Sequence, residues 1–175
     1  MFQVAYTDFT ELRFADGRRK ACLIPIIGHV CKVAYGWAVG EGPDPDLALR
    51  AWERAKETFQ QLGIPYVGTI IHHDQGSAFT GYDWTGRLLL EDGVRLSYAL
   101  PGAKDNPEME SFNSRFKEEG RSLFLDAQSM AELAAVVDSR MLYYNTEPRH
   151  SSIGYLPPLT YIARLRSGSA EESLP

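Results

Sequence analysis

Cysteine is scarce in this chain, and long apolar runs are missing altogether. Two thiols, Cys22 and Cys31, stand among 175 residues, too few for a disulfide framework or a thiolate zinc site. They read as reduced cytosolic thiols. No stretch approaches the roughly 20 apolar residues of a membrane-spanning helix, and "CLIPII" is only strand length. The start, "MFQVAYTDF", has no basic region leading into a long apolar segment, so no secretory signal is expected. Basic charge is also in short supply: 18 Lys and Arg against 23 Asp and Glu give a net charge of -5. That argues against a domain that holds polyanions by bulk charge. It leaves open a nucleic-acid enzyme whose acidic residues hold metal. Basic residues do gather locally, at Arg18, Arg19 and Lys20 and along Arg115, Lys117 and Arg121. Neither an internal repeat nor a dividing linker is visible, and the length suits one domain with a real core.

The residues that are present alternate between strand and helix patterns. "QVAYTDFTELRFADGRRKACLIPIIG" predicts two strands joined at Asp16-Gly17, a hairpin signal. "KVAYGWAVGEG" predicts a third strand, completing an antiparallel meander. "DPDLALRAWERAKETFQQLG" repeats Leu47 or Ala48, Trp52, Ala55, Phe59 and Leu62 at helical spacing, with Gly63 as its stop. "YVGTII" predicts a buried strand, "YDWTGRLLLEDG" a short helix ending in a turn, and "VRLSYAL" a fifth strand. The strand–helix–strand order predicts parallel additions to the meander. Asn106 and Pro107 open a helix over "DNPEMESFNSRFKEEGRSLF", and Ser129 caps another over "SMAELAAVVDSRMLYYN". The expected domain runs over 1–165, and the polar end, 166–175, is expected to be disordered.

Three acids occupy unusual positions. Asp8 lies within the first apolar strand, Asp74 follows the "TII" strand in "HHDQGSAF", and Glu110 is in the first turn of a helix. Singly, each has a plain explanation. Asp8 can face water or begin a turn, Asp74 can start an Asx-turn before Gly76, and Glu110 can complement the helix dipole. Jointly, they suggest a pair of hard cations, Mg²⁺ or Mn²⁺, held by Asp8, Asp74 and Glu110. Crowding three carboxylates without a metal would raise their pKa values and cost stability.

Between Asp74 and Glu110 lie 35 residues. With "YTDFTEL" before them, "DNPEMESFNSRFKEE" after and "YYNTEPRHSSIGYLPPLTYI" closing, the chain resembles the D,D-35-E catalytic core of insertion-sequence transposases and retroviral integrases. The resemblance covers about residues 2 to 163. By position, Asp8, Asp74 and Glu110 match the family's catalytic, metal-holding acids. It implies an α/β, ribonuclease H-like fold: a five-stranded mixed sheet, three antiparallel strands plus two parallel, with helices on both faces. It implies metal-dependent DNA strand transfer, in which water frees a 3′-hydroxyl that then attacks target DNA. The implied partners are DNA element ends, a target duplex, a second copy of the chain at least, and a separate N-terminal recognition domain or protein. The implied setting is the bacterial cytoplasm, at the nucleoid when acting, with no membrane. Two departures stand out. Where the family often has Asp-x-x-Ser-Arg, this chain has Gly28, Cys31 and Lys32, and its Arg-Pro-His is replaced by "EPRHSS".

Lys104, Asn113, Lys117, Arg149 and His150 are candidate DNA contacts, with solvated helix surface as the alternative for the helical ones. His72 and His73, as strand neighbours, point to opposite faces and cannot share a tetrahedral zinc, so one is expected inside and the other at the strand mouth. Asn145 is read as a possible cap of the last long helix. Trp37, Trp52 and Trp84 are read as core anchors. Two other readings stay open: a nuclease that only hydrolyses, and a silent remnant that binds DNA or oligomerises.

Overall fold

The computed structural model describes residues 3–99 and 106–168. Among these described residues six strands form one mixed sheet: β1 (Val4–Thr7), β2 (Thr10–Phe14), β3 (Arg19–Gly28), β4 (Ala34–Gly40), β5 (Ile70–His73) and β6 (Arg95–Tyr98). β3 pairs antiparallel with β1, β2 and β4, while β5 adds parallel to β1 and β6 parallel to β5. The sixth strand arises from a break in the first. β1 and β2 share one register along β3, from Ala5 opposite Gly28 to Phe14 opposite Arg19. The gap at Asp8 and Phe9 lies opposite Pro25 and Ile24 on that same register. His29 donates its amide to Val4, so alternate residues of β3 aim their amides at this neighbour, and Pro25 is one of them. Proline has no N–H to give. The ladder is interrupted at Asp8 for that reason, and the expected five strands become six by count.

α1 (Pro45–Gln61) covers one face. Asp44 caps it by accepting from the Leu47 amide at 2.7 Å, and Pro45 occupies its first turn. At its end Gly63 takes φ +60°, the Gly63 amide reaches Gln60 and the Ile64 amide reaches Phe59, which is a Schellman stop. Leu47, Ala51, Trp52, Ala55 and Phe59 bury themselves with Ala5, Ile24, Ile26 and Ile71 of the sheet. The short helices α2 (Ser77–Thr80) and α3 (Tyr82–Gly86), continued by a π-helical turn over Arg87–Glu91, close the same side through Phe79, Trp84 and Leu88.

α4 (Pro107–Asp126) and α5 (Met130–Thr146) cover the opposite face. Met109, Phe112, Phe116, Phe124, Leu133, Val137 and Met141 pack there with Leu12, Phe14, Leu23 and Ile27. Asn145 does not cap α5. It is buried within the helix and exchanges two hydrogen bonds with the Ala34 peptide, 2.9 Å from its N–H and 3.0 Å to its C=O. The pairing of β3 with β4 shifts between Ile26 and Ile27 beside this point, so the side-chain amide supplies partners near a ladder irregularity. α6 (Pro158–Arg166) ends the described chain and sends Ile162 into the first core. Of the tail expected to be disordered, Arg166 closes α6 and Ser167–Gly168 form a turn; the remainder lies outside the described residues.

β5 begins later than the sequence suggests. Tyr66 and Val67 belong to a turn that the Thr69 amide closes on the Tyr66 carbonyl, and in it Gly68, at φ +80°, donates to Gly93. Both histidines therefore belong to the strand, opposite Ser97 and Tyr98 of β6. All three tryptophans are buried and each indole N–H has an acceptor: Trp37 on Asp138, Trp52 on Asp92 and Trp84 on His73. Among the described residues no helix is long and apolar enough to cross a membrane, and both cysteines are free and buried.

Candidate active site

Register brings the first two acids together. Val4, Ala5 and Tyr6 lie beside Ile70, Ile71 and His72 in a parallel pair. Two residues past the last pair, Asp8 leaves β1 beside Asp74 leaving β5. Adjacent strands sit about 4.8 Å apart, and partnered residues point to one face. Tyr6 and His72 mark that face, their rings meeting edge-on at 5.3 Å, and it is the face that α4 covers. Phe9 turns the other way and stacks on Phe79 at 5.0 Å.

The third acid arrives through the start of α4. Asn106 accepts from the Met109 amide at 3.4 Å and donates its side-chain N–H to the Thr7 carbonyl, also at 3.4 Å. One side chain thus caps the helix and fastens it to the strand end next to Asp8. Glu110 is in the first turn that follows. Asp8 records the gathering: its carboxyl is pushed up from 3.8 to about 6, first by burial and then by the neighbouring charges of Asp74 and Glu110. A hydrogen bond from the Phe9 amide opposes the shift.

Asp74 does what the plain reading foresaw, accepting from the Gly76 amide at 2.9 Å in an Asx-turn. That bond uses Oδ1 and fixes the side chain's direction. His73 is the inner histidine, fully buried. Its Nε2 accepts from the Trp84 indole at 3.2 Å, which leaves Nδ1 to donate to the Asp74 carbonyl at 2.6 Å. Burial holds this imidazole below its usual pKa, so it is a neutral prop under the turn that carries Asp74. His72 is half-buried at the mouth and meets Ser97 Oγ at 3.0 Å.

The three acids are coupled but not drawn into a tight cluster. Among the described residues, no three His, Cys, Asp or Glu side chains are gathered closely enough to grip an ion. The donor set itself suits a hard divalent cation: three carboxylates, one of them raised to about 6 by burial and then by the charges of the other two.

The candidate DNA contacts separate. Lys117 is half-buried on α4, where its charge acts on Glu11. Arg149 is exposed. Asn113 is 6% exposed, with an unpaired Oδ1. His150 is turned inward, its ring 5.1 Å from that of Tyr144. Lys104 lies outside the described residues. Sequence reasoning missed Lys32. At φ +59°, it reaches back from the β3–β4 loop to Glu108 at 2.5 Å, with His29 at 3.2 Å from the other oxygen. This loop therefore braces the first turn of α4. The Asn106 tie and the Trp84–His73 prop were also missed, since each joins residues by tertiary contact with no local signature.

A mixed sheet covered on both faces, with two aspartates leaving neighbouring strands and a helix-borne glutamate coupled to them, defines a ribonuclease H-like catalytic-core architecture. Family models described as integrase core domain match residues 1–104 and 92–158, and the chain belongs to that family. Relatives include the putative transposase for insertion sequence element IS986/IS6110 of Mycobacterium tuberculosis, 28% identical over 71% of this chain and 45% of that protein. The insertion element IS407 uncharacterized 31.7 kDa protein of Burkholderia multivorans is 28% identical over 91% of this chain and 55% of that protein. The chain spans about half the length of the curated relatives it matches. Among solved structures, the HTLV-2 integrase catalytic core domain in complex with magnesium (trimeric form) matches with a TM-score of 0.67 at 12% identity, over 90% of this chain and 94% of that one. The likeness in structure establishes the fold.

Proposed function

We propose that this chain is the catalytic core of a transposase that cleaves and joins DNA at a carboxylate site made of Asp8, Asp74 and Glu110. The observation that carries the reading is the raised Asp8 carboxyl, which has Asp74 and Glu110 among its causes. A carboxyl disfavoured by like charges at a strand mouth is a site awaiting positive charge. Mg²⁺ or Mn²⁺ held by Asp8, Asp74 and Glu110 would supply activation of the attacking oxygen and stabilisation of the leaving one. Asp74 is oriented by the Gly76 amide and His73, and Glu110 by the Asn106 tie. Lys117, on the Glu110 side of α4, and the exposed Arg149 would meet DNA phosphates. Family membership supports this reading over a nuclease that only hydrolyses. At least two copies would be needed to join two ends, and a recognition domain would supply sequence specificity.

The test uses the purified chain, Mn²⁺ and a duplex carrying element ends with a plasmid target. Joined products are expected, and Asp74→Asn should lower their yield at least 1000-fold while the protein still unfolds cooperatively. Cleavage with no joining would favour the nuclease. Unchanged joining by Asp74→Asn would overturn the assignment.

A further inference from the structure

A cavity of about 400 Å³ opens on the flank of α4 that faces away from Glu110. Its position follows from helical spacing: Glu108, Phe112, Arg115 and Glu119 line it, whereas Glu110 and Lys117 lie on the other side. The wall opposite is α5 with the segment behind it, through Arg140, Tyr144 and His150. Lys32 reaches in from the β3–β4 loop.

Charge in this cavity is unevenly settled. Glu119 is shared by two guanidiniums, Arg115 at 2.7 Å and Arg140 at 3.2 Å. Glu108 takes Lys32 at 2.5 Å. Three permanent cations thus face two carboxylates. The His150 imidazole registers the surplus, held below its usual pKa by burial and then by Arg115 and Lys32. Two buried polar atoms here lack a hydrogen-bond partner: Arg140 Nε and His150 Nε2. An unpaired guanidinium N–H is costly to bury. Most of the remaining lining is apolar or aromatic, including Ile27, Met109, Phe112, Phe116 and Tyr144, alongside Ser111 and Ser152.

We propose that this cavity is a binding site for an aromatic anion, with the anionic group on Arg140, His150 and Arg115 and the ring against Tyr144 and Phe112. An anion gives the Arg140 Nε–H its missing acceptor and balances the third cation. Guanidinium pairs recognise phosphate and carboxylate oxygens through charge-assisted bonds. The site is independent of the carboxylate site, since none of its residues belongs to that trio. Two sources carry the required chemistry: a free small molecule, or the 5′-phosphorylated terminal nucleotide of a DNA strand.

The experiment is calorimetric titration of the metal-free chain in EDTA with phenyl phosphate, inorganic phosphate and a 5′-phosphorylated dinucleotide. Phenyl phosphate is expected to bind saturably and at least tenfold more tightly than inorganic phosphate. Arg140→Gln and His150→Ala should each weaken it at least tenfold, with thermal unfolding confirming that both variants fold. In the unsubstituted protein, the His150 ring-proton resonances should shift with the same Kd. Competition by the dinucleotide assigns the site to a DNA end, and phenyl phosphate binding without competition assigns it to a free ligand. Absence of saturable phenyl phosphate binding, equal affinity for inorganic phosphate, or variants with unchanged affinity would overturn the proposal.

Discussion

Asp8 is where sequence, register and electrostatics meet. Its carboxyl is held near 6 in the fold against 3.8 for an unperturbed group. The folded state therefore holds this proton more tightly than the unfolded chain does. The stability so gained is complete below pH 3.8 and disappears as the pH rises through about 6. Ionising a fully desolvated carboxyl of this kind would cost about 3 kcal/mol, and partial exposure screens that to about 1–2 kcal/mol. Asp8→Asn removes the ionisation. In metal-free buffer, the variant is expected to be about 1–2 kcal/mol more stable than the parent at pH 7.5, with the difference shrinking towards zero near pH 4. Urea unfolding at several pH values measures this, and a difference that does not change with pH would refute the explanation. Asp92 presents the opposite case. It is buried and accepts from Trp52, Lys56 and Arg87, so Asp92→Ala leaves the buried Trp52 N–H without its acceptor and Lys56 with Glu53 alone at 2.9 Å, and should cost about 1–3 kcal/mol. The same melts, read at pH 7.5, check it. The sequence disclosed Asp8 and Asp74 as odd acids, but Asp92 looked like part of a turn. Its role depends on a lysine 36 positions earlier, which no local pattern announces.

At the scale of elements, close approaches decide what each strand and helix tolerates. Gly36 on β4 faces α1 so closely that an added Cβ would lie 2.2 Å from the Ala51 carbonyl oxygen and 2.5 Å from the Ala55 nitrogen. Those are backbone atoms of a helix, which cannot swing aside. Gly36→Ala is expected to destabilise by about 3 kcal/mol or more by forcing α1 off the sheet; a thermal midpoint within a degree of the parent would count against this packing. The long helices and most strands were legible because each carries its own signals, α1 in its Leu47-to-Phe59 stripe and α4 in its Asn106-Pro107 opening, whereas the short α2 and α6 were not expected. Two boundaries were not legible either. The split between β1 and β2 depends on Pro25 lying across from Asp8, and the late start of β5 depends on which residues of β6 it meets. Pairing partners set both, and pairing cannot be read from one strand alone.

On the scale of the whole molecule, the site exists only because distant segments are held in one register. β1 sets Asp8 beside Asp74 by parallel pairing, Asn106 fastens α4 to the same strand end, and Lys32 braces that helix through Glu108. Glu110 thus depends on two ties that the spacing of acids did not reveal. The three acids singled out by their odd positions in the sequence are electrostatically coupled in the fold, while the ties around them had no local signature. Folding and metal affinity should consequently be linked across the molecule. An ion that binds only the folded chain stabilises it by about 2.7 kcal/mol at 100 times its dissociation constant, which for a chain of this size raises the midpoint by about 5–10 °C. Mn²⁺ should do this above pH 6, where Asp8 would otherwise ionise against its neighbours, and progressively less below, as protons compete for the same oxygen. Asn106→Ala keeps all three acids but releases the start of α4 from Thr7. It should cost about 1 kcal/mol of stability through the lost cap and reduce the Mn²⁺-induced rise by more than that loss of stability alone would. Thermal melts with and without Mn²⁺ at pH 5 and 8, on the parent and this variant, separate the two effects. A full rise in Asn106→Ala would show that Glu110 is aimed without the tie to β1.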